Sequence, residues 1–141
     1  MATAQVRERI LHPLHAIFVS GSLPLFVGTL LSDWAYSRTG EVQWINFSAW
    51  LVVGALILAG LALAWALIDF LRADVERDRK SALYLLFLAA AFILGFINAL
   101  VHAKDAWATM PAGLILSILV FLFIAAATFI GFPTLRRGDG R

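Results

Sequence analysis

The side chains able to do chemistry in this chain fall into two groups. One comprises Asp33, Asn46, Trp50, Asn98, His102, Asp105 and Trp107; the other is the pair His12 and His15. Asn98, His102 and Asp105 are spaced i, i+4 and i+7, one face of a helix that reaches that far, and Asn46 and Trp50 share a face by the same rule. Carboxylate, amide, imidazole and indole groups gathered in one place would hold a small ligand, a metal or a quinone head group. They would equally serve as a polar cap tying loops together, with Trp34, Trp44, Trp50 and Trp107 as an interfacial aromatic belt. The cap is the preferred reading. His12 and His15 share a face if Pro13 occupies the first helical turn, where proline is tolerated. Histidine pairs in membrane bundles ligate haem iron or other metals, and residence at the headgroup level is the plainer expectation.

Other chemistries lack their residues. There is no cysteine, which removes disulfides, iron–sulfur clusters, thiolate zinc sites and cysteine nucleophiles. No Gly-x-Ser-x-Gly elbow, Walker loop, dinucleotide fingerprint or His-Glu-x-x-His is present, so hydrolase, kinase and soluble dehydrogenase readings have no support. A net charge of only +2, with no basic patch interleaved with aromatics, argues against nucleic acid as a partner.

The elements that must position these residues are set by composition. Of 141 residues, 62% are hydrophobic and 14% charged, with a mean hydropathy of +0.88. A soluble domain of this size has too little interior to hide so much apolar side chain. Four apolar stretches predict helices over about 14–33, 46–71, 82–102 and 111–132, each long enough for a hydrocarbon layer of ~30 Å. None alternates as a barrel strand does. The expectation is one all-α membrane domain over residues 1–141: an integral membrane four-helix bundle of up-down topology, its short connections making neighbours antiparallel. The first stretch is long for a signal peptide and no cleavage site follows it, so it is expected to remain as a helix. Small residues at four-residue spacing (Ala91, Gly95 and Ala99; Gly60 and Ala64; Ala127 and Gly131) mark expected close helix contacts. Ser20, Ser22 and Pro24 interrupt the first helix and admit a kink.

Charge sets the orientation. Arg7, Arg9, Arg72, Arg77, Arg79, Lys80, Arg136, Arg137 and Arg141 fall on one side and only Arg38 and Lys104 on the other. By the positive-inside rule both termini are expected in the cytoplasm, in the inner membrane if the source is a Gram-negative bacterium. Asp33 is expected at the outward end of the first helix, where a carboxylate opposes the macrodipole. His102, Lys104 and Arg38 are the cations available to compensate it. Asp69 and Arg72 read as an interfacial ion pair. His15 begins an outward-running helix and His102 ends one, so the two stand about a membrane thickness apart and cannot ligate one haem within a chain.

The chain resembles a bacterial family of small membrane proteins catalogued as domain of unknown function 2231. His12-Pro13-Leu14-His15, Phe26-Val27-Gly28-Thr29-Leu30, Asp33 and Tyr36 carry the resemblance at the start. It continues through Trp44, Asn46-Phe47-Ser48-Ala49-Trp50-Leu51 and Ile68-Asp69-Phe70-Leu71. It is closest at Asn98, Val101-His102-Ala103-Lys104-Asp105-Ala106-Trp107 and Pro111-Ala112-Gly113-Leu114-Ile115-Leu116-Ser117. The resemblance implies a four-helix membrane protein with no established activity, sometimes linked to electron-transfer partners. Two positions depart from it: Ala16 replaces a second proline, and Tyr84 stands where relatives tend to carry a histidine that would pair with His15. With Tyr84 there a bis-histidine haem loses support, although tyrosine itself ligates haem iron.

Taken together these features favour a non-enzymatic accessory or anchoring component of a membrane complex, in contact with the lipid bilayer and with another membrane protein or a second copy of itself. The alternative is an electron-transfer module holding haem b or a quinone through His12, His15, Tyr84 or His102. A small transporter ranks third, because the central thirds of the helices carry almost no ionisable residue.

Overall fold

The computed structural model describes residues 12–72 and 78–132. Arg7, Arg9, Arg77, Arg136, Arg137 and Arg141, which contribute to the charge bias, lie outside the described residues. Helices α1 (Pro13–Thr39), α2 (Val42–Leu71), α3 (Arg79–His102) and α5 (Ala112–Gly131) are joined by short connections, one of which contains the single-turn helix α4 (Ala106–Thr109). All four long helices are long and apolar enough to cross a membrane.

Helix ends follow local chemistry. His12 caps α1 through Nδ1, which accepts from the Leu14 N–H at 3.3 Å, and Pro13 takes the first helical position, where its missing N–H costs nothing. The helix continues through Pro24 to Thr39, six residues past the end read from hydropathy. It stops at Gly40, whose φ of 71° turns the chain left-handed and lets its N–H reach the Tyr36 carbonyl, a conformation that favours glycine. One further residue, Glu41, leads into α2, so α1 and α2 must run antiparallel. Asp78 caps α3 by accepting from the Ser81 N–H at 2.9 Å.

The long helices form a ring in which α1 packs beside α2 and α5, and α3 beside the same two. Each turns inward a stripe spaced alternately by three and four residues. On α1 it is His15, Val19, Ser22, Phe26, Thr29 and Asp33; on α2, Ile45, Ser48, Val52, Ala55, Ala59 and Ala62. On α3 it is Leu88, Ala91, Gly95, Asn98 and His102, and on α5 Gly113, Ser117, Val120, Ile124 and Ala127. A 3.5-residue repeat is the seam of a left-handed bundle. Large side chains such as Ile17, Ile57, Ile93 and Phe129 point outward, toward lipid.

Small residues let the seams close. Gly95 takes Leu56 and Phe26 against its backbone, Gly60 takes Phe92, and Gly131 takes Tyr84. Ala64 faces outward instead, because the inward stripe of α2 runs through Ala55, Ala59 and Ala62. Hydroxyls in the apolar layer return to their own helix: Ser22 donates to the Val19 carbonyl at 2.8 Å and Thr29 to the Leu25 carbonyl at 3.0 Å, so neither is left unsatisfied in lipid.

The glycines test this packing. A Cβ on Gly113 would stand 2.7 Å from Thr109 Cγ2 and 3.1 Å from His102 Cε1, whereas one on Gly54 would meet Leu25 at an ordinary 3.5 Å. Gly113→Ala should therefore lower stability by about 1–3 kcal/mol. Gly54→Ala should leave it unchanged or raise it, since alanine is the better helix former. Unfolding midpoints in mild detergent report the difference, and equal midpoints would contradict the close approach at Gly113.

Candidate functional site

The seams bring five polar side chains from all four long helices to one point at the Gly40 end of the bundle. Asp33 of α1 lies at the centre, 0% exposed. Its Oδ1 accepts from the Ser48 hydroxyl of α2 at 2.5 Å and faces His102 Nε2 of α3 at 2.7 Å. Its Oδ2 accepts from the Ser117 hydroxyl of α5 at 2.5 Å. Ser117 in turn accepts from the Asn98 amide of α3 at 2.8 Å. Ser48 also lies 2.9 Å from His102 Nε2 and 3.3 Å from the Thr29 carbonyl.

Hydrogen-bond accounting fixes how many protons the centre holds. His102 Nδ1 is 2.9 Å from the Asn98 carbonyl, which only accepts, so Nδ1 must be protonated. Nε2 faces a carboxylate oxygen, so a further proton lies between Nε2 and Oδ1. The Asp33–His102 pair is neutral as a unit whichever atom carries that proton, and burial is tolerable for that reason. Asn98 Oδ1 is the one atom of this network left without a partner.

Asp33 is compensated differently from the macrodipole expectation. Helix α1 does not end near it but runs on to Thr39, so what demands compensation is desolvation of the carboxylate. Of the three cations considered, His102 reaches it; Arg38 and Lys104 are exposed. Helix α3 ends at His102, and Asp105 precedes α4 as an exposed residue, so it leaves the face shared by Asn98 and His102. Asn46 is exposed, and Trp50 and Trp107 are 79% and 78% exposed. The seven residues grouped by sequence thus divide into a buried network of Asp33, Asn98 and His102 and an exposed rim of Asn46, Trp50, Asp105 and Trp107. Ser48 and Ser117 complete the network, and sequence reasoning passed over both. Their signal is register: each hydroxyl lies on its helix's inward stripe at the depth of Asp33. Thr109, 0% exposed and packed on Gly113, closes the network from the α4 side.

The second polar layer lies at the other end. His15 is 18 residues from Asp33 along α1, about 27 Å at ~1.5 Å per residue. Its Nε2 lies 2.7 Å from the Tyr84 hydroxyl of α3, so the pairing that the resemblance suggested between positions 15 and 84 is made by a phenol. Trp65 of α2 lies against both histidines, with ring centroids 4.8 Å from His12 and 6.2 Å from His15. His15 Nδ1 is buried without a partner, a position that typically costs about 1–3 kcal/mol. Haem ligation by His102 does not fit this placement. Both nitrogens of His102 are engaged inside the bundle, and Nε2 of His15 is taken by Tyr84; His12 alone faces outward. Between the layers the buried core is Val19, Phe26, Val52, Ala55, Leu88, Ala91, Val120 and Ile124, with the self-bonded Ser22 and Thr29. Among the described buried residues no ionisable group bridges them.

Breaking the network from one side should be costly. His102→Ala strands the buried carboxylate and should destabilise the bundle by about 3–5 kcal/mol, while Asp69→Asn at the far end should cost under about 1 kcal/mol. The double variant Asp33→Leu/His102→Leu should lose less than the two single changes summed, because no unpaired charge remains. Denaturant titration in mild detergent of the wild type, each single variant and the double variant measures these losses; strictly additive losses would show that the pair is not coupled.

A family model described as a predicted membrane protein (DUF2231) matches residues 11–135. No curated protein and no solved structure matches the chain.

Proposed function

The chain belongs to the DUF2231 family of predicted membrane proteins, and we propose that it serves as a non-enzymatic anchoring component of a membrane complex. The observation that supports this reading is the closure of the Asp33 network. Apart from Asn98 Oδ1, its polar groups are spent on one another, joining α1, α2, α3 and α5 at one point. Such a network specifies one arrangement of helices in lipid, where apolar surface alone gives little preference between packings. What this end offers to other molecules is the exposed rim of Asn46, Trp50, Asp105 and Trp107, in the style of an interface rich in aromatic side chains. The apolar layer between the two polar ends gives no support to a transport path.

The bilayer that hosts it is proposed to be the bacterial inner membrane, with both termini cytoplasmic. Arg72, Arg79 and Lys80 lie at the His15 end, against Arg38 and Lys104 at the Asp33 end, and basic residues concentrate on the cytoplasmic side.

Two experiments test these statements. Photo-crosslinkers placed at Trp50 and Trp107 in native membranes should each trap the same membrane protein, which should also co-purify with the chain in mild detergent. A crosslinker at the lipid-facing Ile57 should trap none. Crosslinks to lipid alone at all three positions, with a chain that purifies by itself, would defeat the anchoring role. The absence of cysteine makes orientation simple to read. A membrane-impermeant maleimide should label Lys104→Cys in intact cells and Lys80→Cys only after permeabilisation. The reverse pattern would invert the topology.

A further inference from the structure

The His15 layer holds a buried ring nitrogen that has no partner. Tyr84 Oη is 2.7 Å from His15 Nε2, and a phenol hydroxyl held inside a protein donates where an acceptor is offered. Nε2 therefore accepts, and the hydrogen of the neutral ring resides on Nδ1. That atom is buried and unpartnered, on a residue only 3% exposed. Trp65 lies half-buried against the same imidazole and against His12, presenting a flat aromatic wall between the core and the lipid. At the same end of α1 and α2, Leu14, Ile17 and Ile68 are 48%, 60% and 63% exposed, apolar surface turned to the hydrocarbon.

We propose that His15 and Trp65 form a binding site for a quinone-class ring drawn from the bilayer, one carbonyl oxygen accepting from His15 Nδ1–H while the ring lies against the indole. The chemistry selects this class. The missing partner is an acceptor at the edge of the hydrocarbon, so the ligand must be lipid-soluble and carry an exposed oxygen. A neutral carbonyl suits a donor at the edge of the hydrocarbon, where an anionic acceptor such as a lipid phosphodiester would carry a larger desolvation cost. The indole face of Trp65, which the exposed His12 ring now covers at a centroid distance of 4.8 Å, suits a ring that takes the place of that imidazole. A long apolar tail would run past Ile17 and Ile68 without leaving the lipid. The half-buried indole must shift to uncover Nδ1 and then close on the ring, which makes Trp65 both wall and reporter. This site is about 27 Å from Asp33 along α1 and is independent of the anchoring role.

The test uses Trp65 as the single indole, with Trp34, Trp44, Trp50 and Trp107, the remaining four of five tryptophans, changed to Phe. The full chain in mild detergent is titrated with ubiquinone bearing one isoprene unit, and separately with menadione, following Trp65 fluorescence. Saturable quenching is expected, weakened about tenfold by His15→Leu, the loss of one hydrogen bond to the ring. Excess phosphatidylglycerol should not displace the quinone; displacement would assign the donor to a lipid headgroup and overturn the proposal. Quenching that rises without saturation, or equal affinity in a folded His15→Leu protein, would also overturn it. Should His15→Leu fail to fold, Tyr84→Phe decides: it keeps the imidazole but frees Nε2 and the tautomer, and unchanged affinity there would likewise overturn the assignment.

Discussion

A carboxylate held out of water at the edge of a hydrocarbon layer has to be surrounded by donors, and the arrangement of this bundle answers to that requirement. Asp33 is met by one hydroxyl from α2, one from α5 and the imidazole of α3. No single neighbouring helix could supply all three. Fixing the carboxylate therefore fixes the rotation and depth of every long helix at once. The close contact of Gly113 with His102 and the buried Thr109 follow from the same demand, because the imidazole can reach Asp33 only if α5 and the α4 turn leave it room.

From that point the bundle is apolar for most of its length and becomes polar again at His15 and Tyr84. The two layers differ in kind. The Asp33 layer is nearly self-satisfied, with only Asn98 Oδ1 unpaired; the His15 layer ends on an unpaired ring nitrogen beside an exposed histidine and a half-buried tryptophan. The first has the character of a structural clamp. The second has the composition of a place where something else completes the bonding. Their separation by an apolar layer leaves no polar route from one to the other among the described buried residues.

The sequence reads well where lipid imposes the rule. Four helices, their order and their approximate centres follow from unbroken apolar runs, because a chain crossing hydrocarbon must satisfy its backbone within each segment. Asp33, Asn98, His102 and His15 stand out as polar residues in apolar surroundings, which is why they were legible. Boundaries were less so: α1 continues through Ser37 and Arg38 to Gly40, since a helix leaving the bilayer needs no apolar residues to continue. Asp105 illustrates a second limit. Its i+7 spacing from Asn98 is meaningful only on a helix that reaches it, and α3 stops at His102.

What the sequence alone determined is that this chain lives in a membrane as a four-helix bundle with polar residues gathered near its two ends. Only the tertiary structure decided which of those residues meet. In water the inward face of a helix is betrayed by hydrophobicity, but in lipid both faces are apolar, so Val52 inside and Ile57 outside read alike. The inward stripe is marked instead by small and hydroxylated residues such as Ser48, Ala55, Gly95 and Ser117. Their selection becomes visible only when four helices are set in register around one carboxylate.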